Sequence, residues 1–106
     1  MLIYEVSLQV DSSVFIEYAA FLGDHIPEVI RAGGFESARW FAAEEPGASA
    51  SGVQWVIHYL ARDRETIDRY IAEQAPRLRA QAEARFTGRF TARRRILEVL
   101  SEVALP

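Results

Sequence analysis

Four stretches of the chain have the hydrophobic pattern of β-strands. Residues 2–10 alternate strictly between two sides, one of which is entirely apolar. The apolar side consists of Leu2, Tyr4, Val6, Leu8 and Val10. Residues 35–42 and 53–60 are rich in aromatic and β-branched residues, and residues 89–100 form a fourth, less regular stretch. Because a period of two is typical of strands with one buried face, we predict four strands.

The first strand is followed by apolar residues with helical spacing. The side chains of residues 11–13, Asp-Ser-Ser, can accept the free N–H groups of a first turn, and the glycines at 33–34 favour a helix end. Gly23 and Asp24 interrupt the pattern. We therefore predict two helices here, with Asp24 capping the second and Pro27 in its first turn.

A second helical region separates the third and fourth strands. Asp63 is placed to cap its beginning, and Gly88 to stop it before the last strand. Pro76 either ends a first helix or opens a following one, because proline is tolerated in a first helical turn. A loop of small and polar residues, 44–52, joins the second and third strands and is too long for a tight turn.

The element order β-α-β-β-α-β predicts an α+β, ferredoxin-like fold. Such a fold has a four-stranded antiparallel sheet with its helices on one face. Residues 101–106 are expected to be loose, and the chain has no linker that would divide it. We therefore expect a single domain over residues 1–106.

The second face of the predicted sheet has no helix to cover it. It mixes apolar residues (Ile3, Val56 and Leu60) with polar residues (Glu5, Ser7 and His58). Such a face is either exposed to water or paired with another subunit. We favour pairing, which gives a homodimer whose two sheets face each other across a two-fold axis.

Composition excludes several classes of site. The 106 residues include no cysteine, which excludes disulfides, thiolate nucleophiles and cysteine-based metal sites. No apolar run reaches the roughly 18 residues that cross a bilayer, and the opening residues lack the basic region of a signal peptide. We expect a cytoplasmic protein with no membrane partner.

Arginine is concentrated near the end of the chain. Residues 76–97 contain seven arginines and a single acid, Glu83, within a chain of net charge −3. Salt bridges to acids elsewhere in the dimer are one interpretation. A small carboxylate or phosphate ligand is another, for which Arg77, Arg79 and Arg95 are the candidate contacts. Nucleic acid is the third.

Two histidines are candidates for chemistry. His25 precedes a proline at a predicted helix start, where it can hold the helix break or contact a ligand. His25 and Glu28 are fewer ligands than a zinc site needs, so we expect no metal. Glu5 and His58 lie on neighbouring central strands, where they form either a general base or a polar pair within an interface.

Several known binding motifs are missing from the sequence. The third strand, GVQWVIHY, lacks the basic and aromatic spacing of RNA-recognition domains, and the net charge opposes binding to phosphate backbones. There is no P-loop, GxGxxG, HExxH or GxSxG sequence. We therefore expect neither nucleic acid nor a cofactor.

Several segments resemble one family. They are the opening MLIYEVSLQVD, the His-Ile-Pro at 25–27, the segment from Gly34 to Arg39 and, most specifically, APRLRAQAEARFTGRFTARRRIL at 75–97. Together they resemble the DUF4286 family of small bacterial proteins of uncharacterised function. The resemblance implies a ferredoxin-like fold of the dimeric α+β barrel type and a cytoplasmic location. It implies no known activity.

Three functions follow as hypotheses. In the first, a homodimer binds a small anionic metabolite through His25 and the arginine-rich segment. In the second, a cofactor-independent enzyme of monooxygenase or isomerase type uses His25 or His58 as its general base. In the third, dimerisation is itself the function, and no pocket of ligand size exists.

Overall fold

Four antiparallel strands form one sheet in the computed structural model, which describes residues 1–45 and 52–106. The strands are β1 (Leu2–Asp11), β2 (Ser37–Ala42), β3 (Gly52–Ala61) and β4 (Phe90–Glu98). Their order is β2-β3-β1-β4, with β1 and β3 at the centre. The predicted α+β ferredoxin-like fold is confirmed. The loop predicted at 44–52 falls largely on residues 46–51, which lie outside the described residues.

Three helices pack on one face of this sheet. They are α1 (Phe15–Gly33), α2 (Arg64–Glu73) and α3 (Ala75–Phe86). The sheet side of the core comes from the apolar face of β1, where Tyr4, Leu8 and Val10 are almost fully buried. Burial of such a continuous apolar face is the main force that holds helices on a sheet. Among the described residues, none of the helices has the length and hydropathy needed to cross a membrane.

The predicted break in the first helical stretch is wrong, because α1 is continuous. Pro27 lies inside it and removes the bond that its nitrogen would give to the Gly23 carbonyl. Tyr18 and Leu22 before this point and Val29 after it are all buried. The helix stays in one piece because packing on both sides outweighs one lost hydrogen bond.

The predicted cap at residues 11–13 is also wrong. The Asp11 carboxylate accepts from the backbone N–H and the hydroxyl of Ser13, at 2.8 and 2.7 Å. It therefore closes a turn ahead of the helix. The N-cap of α1 is Val14, which makes no side-chain capping bond.

The other boundaries follow local hydrogen bonding. Pro76 opens α3, one of the two predicted alternatives, since α3 begins at Ala75 directly after α2. β2 begins later than predicted because the end of α1 extends to Phe35. Gly34 ends the helix in a left-handed conformation, and the N–H of Phe35 still donates to the Ile30 carbonyl. β4 ends at Glu98, two residues before the predicted end.

The sheet has an open face, which is the face opposite the helices. Strand register places its side chains in rows across β3, β1 and β4. The first row is apolar, the second charged and the third mixed. In that order the rows are Leu60–Ile3–Leu97, His58–Glu5–Arg95 and Val56–Ser7–Arg93.

The capping interaction at Asp63 gives a test of the helix assignment. Its carboxylate accepts from the Thr66 N–H at 2.9 Å and the Thr66 hydroxyl at 2.8 Å. Asp63→Ala should therefore lower the free energy of unfolding by about 1 kcal/mol. Urea denaturation followed by circular dichroism measures this change.

The matched control is Asp24→Ala. Asp24 is exposed within the continuous helix α1, where alanine is the better helix former. This variant should lose no stability. An equal loss in the two variants would contradict the continuous α1.

Candidate functional site

A cavity of about 460 Å³ lies between the sheet and the helices. Its floor is the buried face of β1 and β3, and its walls come from α1, α3 and β4. The exposed residues of its lining, among them Arg79, Glu83 and Arg94, belong to α3 and β4. The cavity therefore opens to solvent between α3 and the edge strand β4.

Four tyrosines line the interior of the cavity. They are Tyr4, Tyr18, Tyr59 and Tyr70, all almost fully buried. Burial raises the pKa of Tyr18 and of Tyr70 to about 12, and it raises the pKa of Tyr59 as well. The phenols of Tyr18, Tyr59 and Tyr70 are consequently protonated at neutral pH. The wall combines apolar surface with hydroxyl groups that can donate hydrogen bonds.

Two arginines lie at the mouth of the cavity. Arg79 reaches in from α3, and its Nη2 donates to the Tyr4 hydroxyl at 2.9 Å. Arg94 comes from β4, where it is paired with Val6 on the helix side of the sheet. The lining contains one acid, Glu83. The mouth therefore carries a net positive charge, which favours an anion.

His25 contributes the remaining titratable group of the lining. Its ring stacks on Phe21 with centroids 4.8 Å apart, and its Nδ1 is buried without a hydrogen-bond partner in the described part of the chain. Burial lowers the pKa of His25, and the Arg94 charge adds to this effect while Glu28 opposes it. The imidazole is thus neutral at pH 7, when a ring nitrogen without a proton can accept one.

The predicted ligand contacts do not all meet in one place. His25 and Arg79 line the cavity. Arg77 lies on the outer surface, where its Nη1 is 3.1 Å from the Glu28 carboxylate. Arg95 is on the open face and binds Glu5. The structure therefore brings two of the four candidates, His25 and Arg79, to the cavity.

The predicted proximity of Glu5 and His58 is confirmed. His58 Nε2 donates to Glu5 Oε2 at 2.7 Å, and Arg95 Nε donates to Glu5 Oε1 at 2.6 Å. Burial alone would raise the pKa of Glu5, but the bonds from Arg95 and His58 outweigh it and hold the pKa below its ordinary value. This ionised group lies on the open face, away from the cavity between sheet and helices.

Arg94 is the cavity residue that the candidate set omitted. Alternation along β4 already places it on the side opposite Arg93 and Arg95. That signal would have identified it, since alternation directs its side chain to the helix side of the sheet, where this cavity lies. The shared cavity of the four tyrosines depends on tertiary packing, which the pattern of the sequence does not show.

Comparisons with known proteins agree with this fold. The family model described as "Domain of unknown function (DUF4286)" matches residues 1–100. A search of curated proteins finds no match. One solved structure with a similar fold is At3g17210 from Arabidopsis thaliana. It is 12% identical, with 99% of this chain and 100% of that chain covered and a TM-score of 0.70.

Two further solved structures have a similar fold. SnoaB, a cofactor-independent oxygenase from Streptomyces nogalater, is 13% identical, with 96% of this chain and 95% of that chain covered and a TM-score of 0.68. A dimeric ferredoxin-like protein from an uncultured marine organism is 12% identical, with 96% of both chains covered and a TM-score of 0.65. At these identities the likeness shows the fold alone.

The lowered pKa of His25 predicts a pH-dependent stability. The unfolded chain takes up this proton near pH 6.5, before the folded chain does, so acidification below about pH 6.5 favours unfolding. His25→Gln removes this contribution. Between about pH 7.5 and pH 5.5 the free energy of unfolding should fall more in the natural chain than in the variant.

Chemical denaturation of both proteins across this pH range provides the measurement. The two proteins share every other titratable group, so the difference between the two curves reports mainly on His25. Parallel curves would contradict a buried, neutral His25.

Proposed function

The chain belongs to the DUF4286 family, and we propose that its interior cavity binds a small organic anion in a cytoplasmic homodimer. The observation that carries this proposal is the placement of Arg79 and Arg94 at the cavity mouth, with Glu83 as the one acid of the lining. A guanidinium group binds carboxylate and phosphate in a two-pronged geometry.

The shape and lining of the cavity narrow the ligand class. Its volume of about 460 Å³ is typical of a site for a single small molecule. Beneath the arginines, the wall consists mainly of tyrosine rings and aliphatic side chains, together with His25 and Phe90. A compound with an acidic group at one end and a planar apolar body would place the acid at Arg79 and Arg94 and the body against Tyr18 and Tyr59. The cavity weighs against the hypothesis that dimerisation is the sole function.

The adjacent arginines of β4 provide a direct test of anion binding. A panel of aromatic and aliphatic carboxylates and phosphates is screened by thermal shift, and the affinity of each hit is measured by calorimetry. Arg94→Ala removes a charge-assisted contact, which should weaken binding about tenfold or more.

Arg93→Ala is the matched control. It removes the same charge from the neighbouring residue, whose side chain lies on the open face. Binding should be nearly unchanged. If no compound stabilises the protein, or if both variants weaken binding equally, the cavity is not the anion site.

The homodimer is supported by the open face. No helix covers this face in the described residues, yet Glu5 there is only 6% exposed, and Val56 and Leu60 are partly exposed. A fold neighbour is itself a dimeric ferredoxin-like protein. Pairing two such faces would remove their apolar rows from water.

Sedimentation velocity at micromolar concentration tests the dimer. The natural chain should sediment as a species with twice the 12.0 kDa mass of one copy. Val56→Asp places a carboxylate in the middle of the open face and should produce a monomer. Ile71→Asp, at a 38%-exposed position on α2, is the control and should leave the dimer intact. A monomeric natural chain would exclude the dimer.

A second candidate function is proton abstraction from the bound compound by His25. The unpartnered Nδ1 of a neutral imidazole in the cavity lining favours it. A cofactor-independent oxygenase, SnoaB, has a similar fold. Arg79 and Arg94 would stabilise the negative charge that develops on the compound.

Solvent exchange distinguishes binding from this chemistry. Compounds that bind are incubated with the protein in deuterium oxide, and loss of an acidic C–H signal is followed by proton NMR. His25→Gln should abolish the exchange while leaving binding in place. Exchange that is absent with every binding compound, or unchanged in the variant, excludes His25 as the base.

A further inference from the structure

The segment after β4 is apolar and largely exposed in a single copy. Residues 99–106 form neither helix nor strand. Their apolar side chains are exposed by 40% at Val99, 87% at Leu100, 88% at Val103 and 95% at Leu105. The segment is attached through one backbone hydrogen bond, from Val99 N–H to the Met1 carbonyl, at 3.1 Å. Exposed side chains of this size, following one another along one short segment, indicate a surface that is covered in the assembled protein.

The segment leaves the sheet beside an apolar row. Leu97 on β4 is in register with Ile3, and Ile3 with Leu60, so these three side chains cross the open face together. Glu98, the next residue, is paired with Leu2, and the segment begins immediately after it. Its origin is therefore at the apolar end of the open face. All three side chains of the row are partly exposed.

The charges of the segment and the open face are complementary. Arg39, Arg93 and Arg95 lie on this face. Its acids are Glu5, which is paired with Arg95, and Glu45, which lines the same cavity as Arg93. The segment and the residue before it contribute Glu102 and Glu98 and no basic residue. An acidic, apolar segment thus matches a face with an apolar row followed by arginines.

The segment is long enough to cross a neighbouring sheet. Eight extended residues reach about 26 Å at roughly 3.3 Å per residue. Four strands at about 4.8 Å spacing span only about 14 Å. Its side chains are exposed on its own copy, so the segment is free to contact another molecule, and the open face of a second copy offers matching chemistry.

We propose that residues 99–106 form an arm that packs on the open face of a second copy of this chain. Leu100, Val103 and Leu105 pack at the border of the paired faces, beside the apolar row at the end of the receiving face, and Glu102 lies near its arginines. The proposal rests on the homodimer and adds a reciprocal exchange of arms to it. Each copy both donates an arm and receives one, as two-fold symmetry requires.

Truncation after Glu98 measures the contribution of the arm. The dissociation constant of the dimer, from sedimentation equilibrium, should rise at least about tenfold, since the buried apolar area falls on both copies. Full-length Val103→Asp with Leu105→Asp should have a similar effect. Ser101→Asp adds a charge without removing an apolar contact, and it should leave the constant unchanged or lower it.

Cross-linking tests where the arm lies. The chain has no cysteine, so two single variants, Val103→Cys and Ile3→Cys, are mixed and oxidised. A disulfide-linked pair should form between them in much higher yield than in the control, because the arm of one chain holds position 103 against position 3 of the other. Ile71→Cys, on the helix side, replaces Ile3→Cys in the control and should give no specific product.

The outcomes separate the arm from the dimer. A full-length dimer whose dissociation constant is unchanged by truncation overturns the arm and leaves the open-face dimer standing. A full-length chain that is monomeric overturns both. A disulfide that forms within one chain carrying both cysteines, but not between mixed chains, shows that the segment folds back on its own copy and also overturns the arm.

Discussion

Pairing of β1 with both β3 and β4 is the constraint on which the rest of the molecule depends. It fixes the side of the sheet to which each residue of three strands points, because alternate side chains face opposite ways. A register shift of one residue would exchange the two faces. Val10 and Leu8 would then face water, and Glu5 would enter the apolar core, which makes the observed register strongly preferred.

The same register distributes the arginines of β4 between two environments. Arg94 faces the helix layer, where it reaches the cavity mouth, while Arg93 and Arg95 face the opposite side. On that side Arg95 joins His58 in holding the Glu5 carboxylate. Three consecutive residues of one type thus face two different environments. Their count in the sequence says less about function than the direction in which each points.

The fold was largely predictable from the sequence, and the site only partly. Strict alternation in β1 and the β-branched run in β3 identified the central strands, and register then brought Glu5 to His58 as expected. The predicted helix break at Gly23 was wrong, because local sequence signals cannot show how strongly the buried contacts of Tyr18 and Val29 stabilise the continuous helix. The cavity could not be read from the sequence, because its volume is the space left between packed helices and strands. Arg77 and Arg79 look alike in the sequence, yet two residues along a helix place one outside and the other at the mouth.

The position of β4 at the edge of the sheet has a consequence for solubility. One side of this strand is hydrogen-bonded to β1, and no strand of the described residues pairs with the other. Exposed edge strands can pair with edge strands of other chains and so promote aggregation, which proteins counter with charged side chains. The three successive guanidinium groups of β4 repel the β4 edge of another copy, which opposes edge-to-edge pairing and fibre formation.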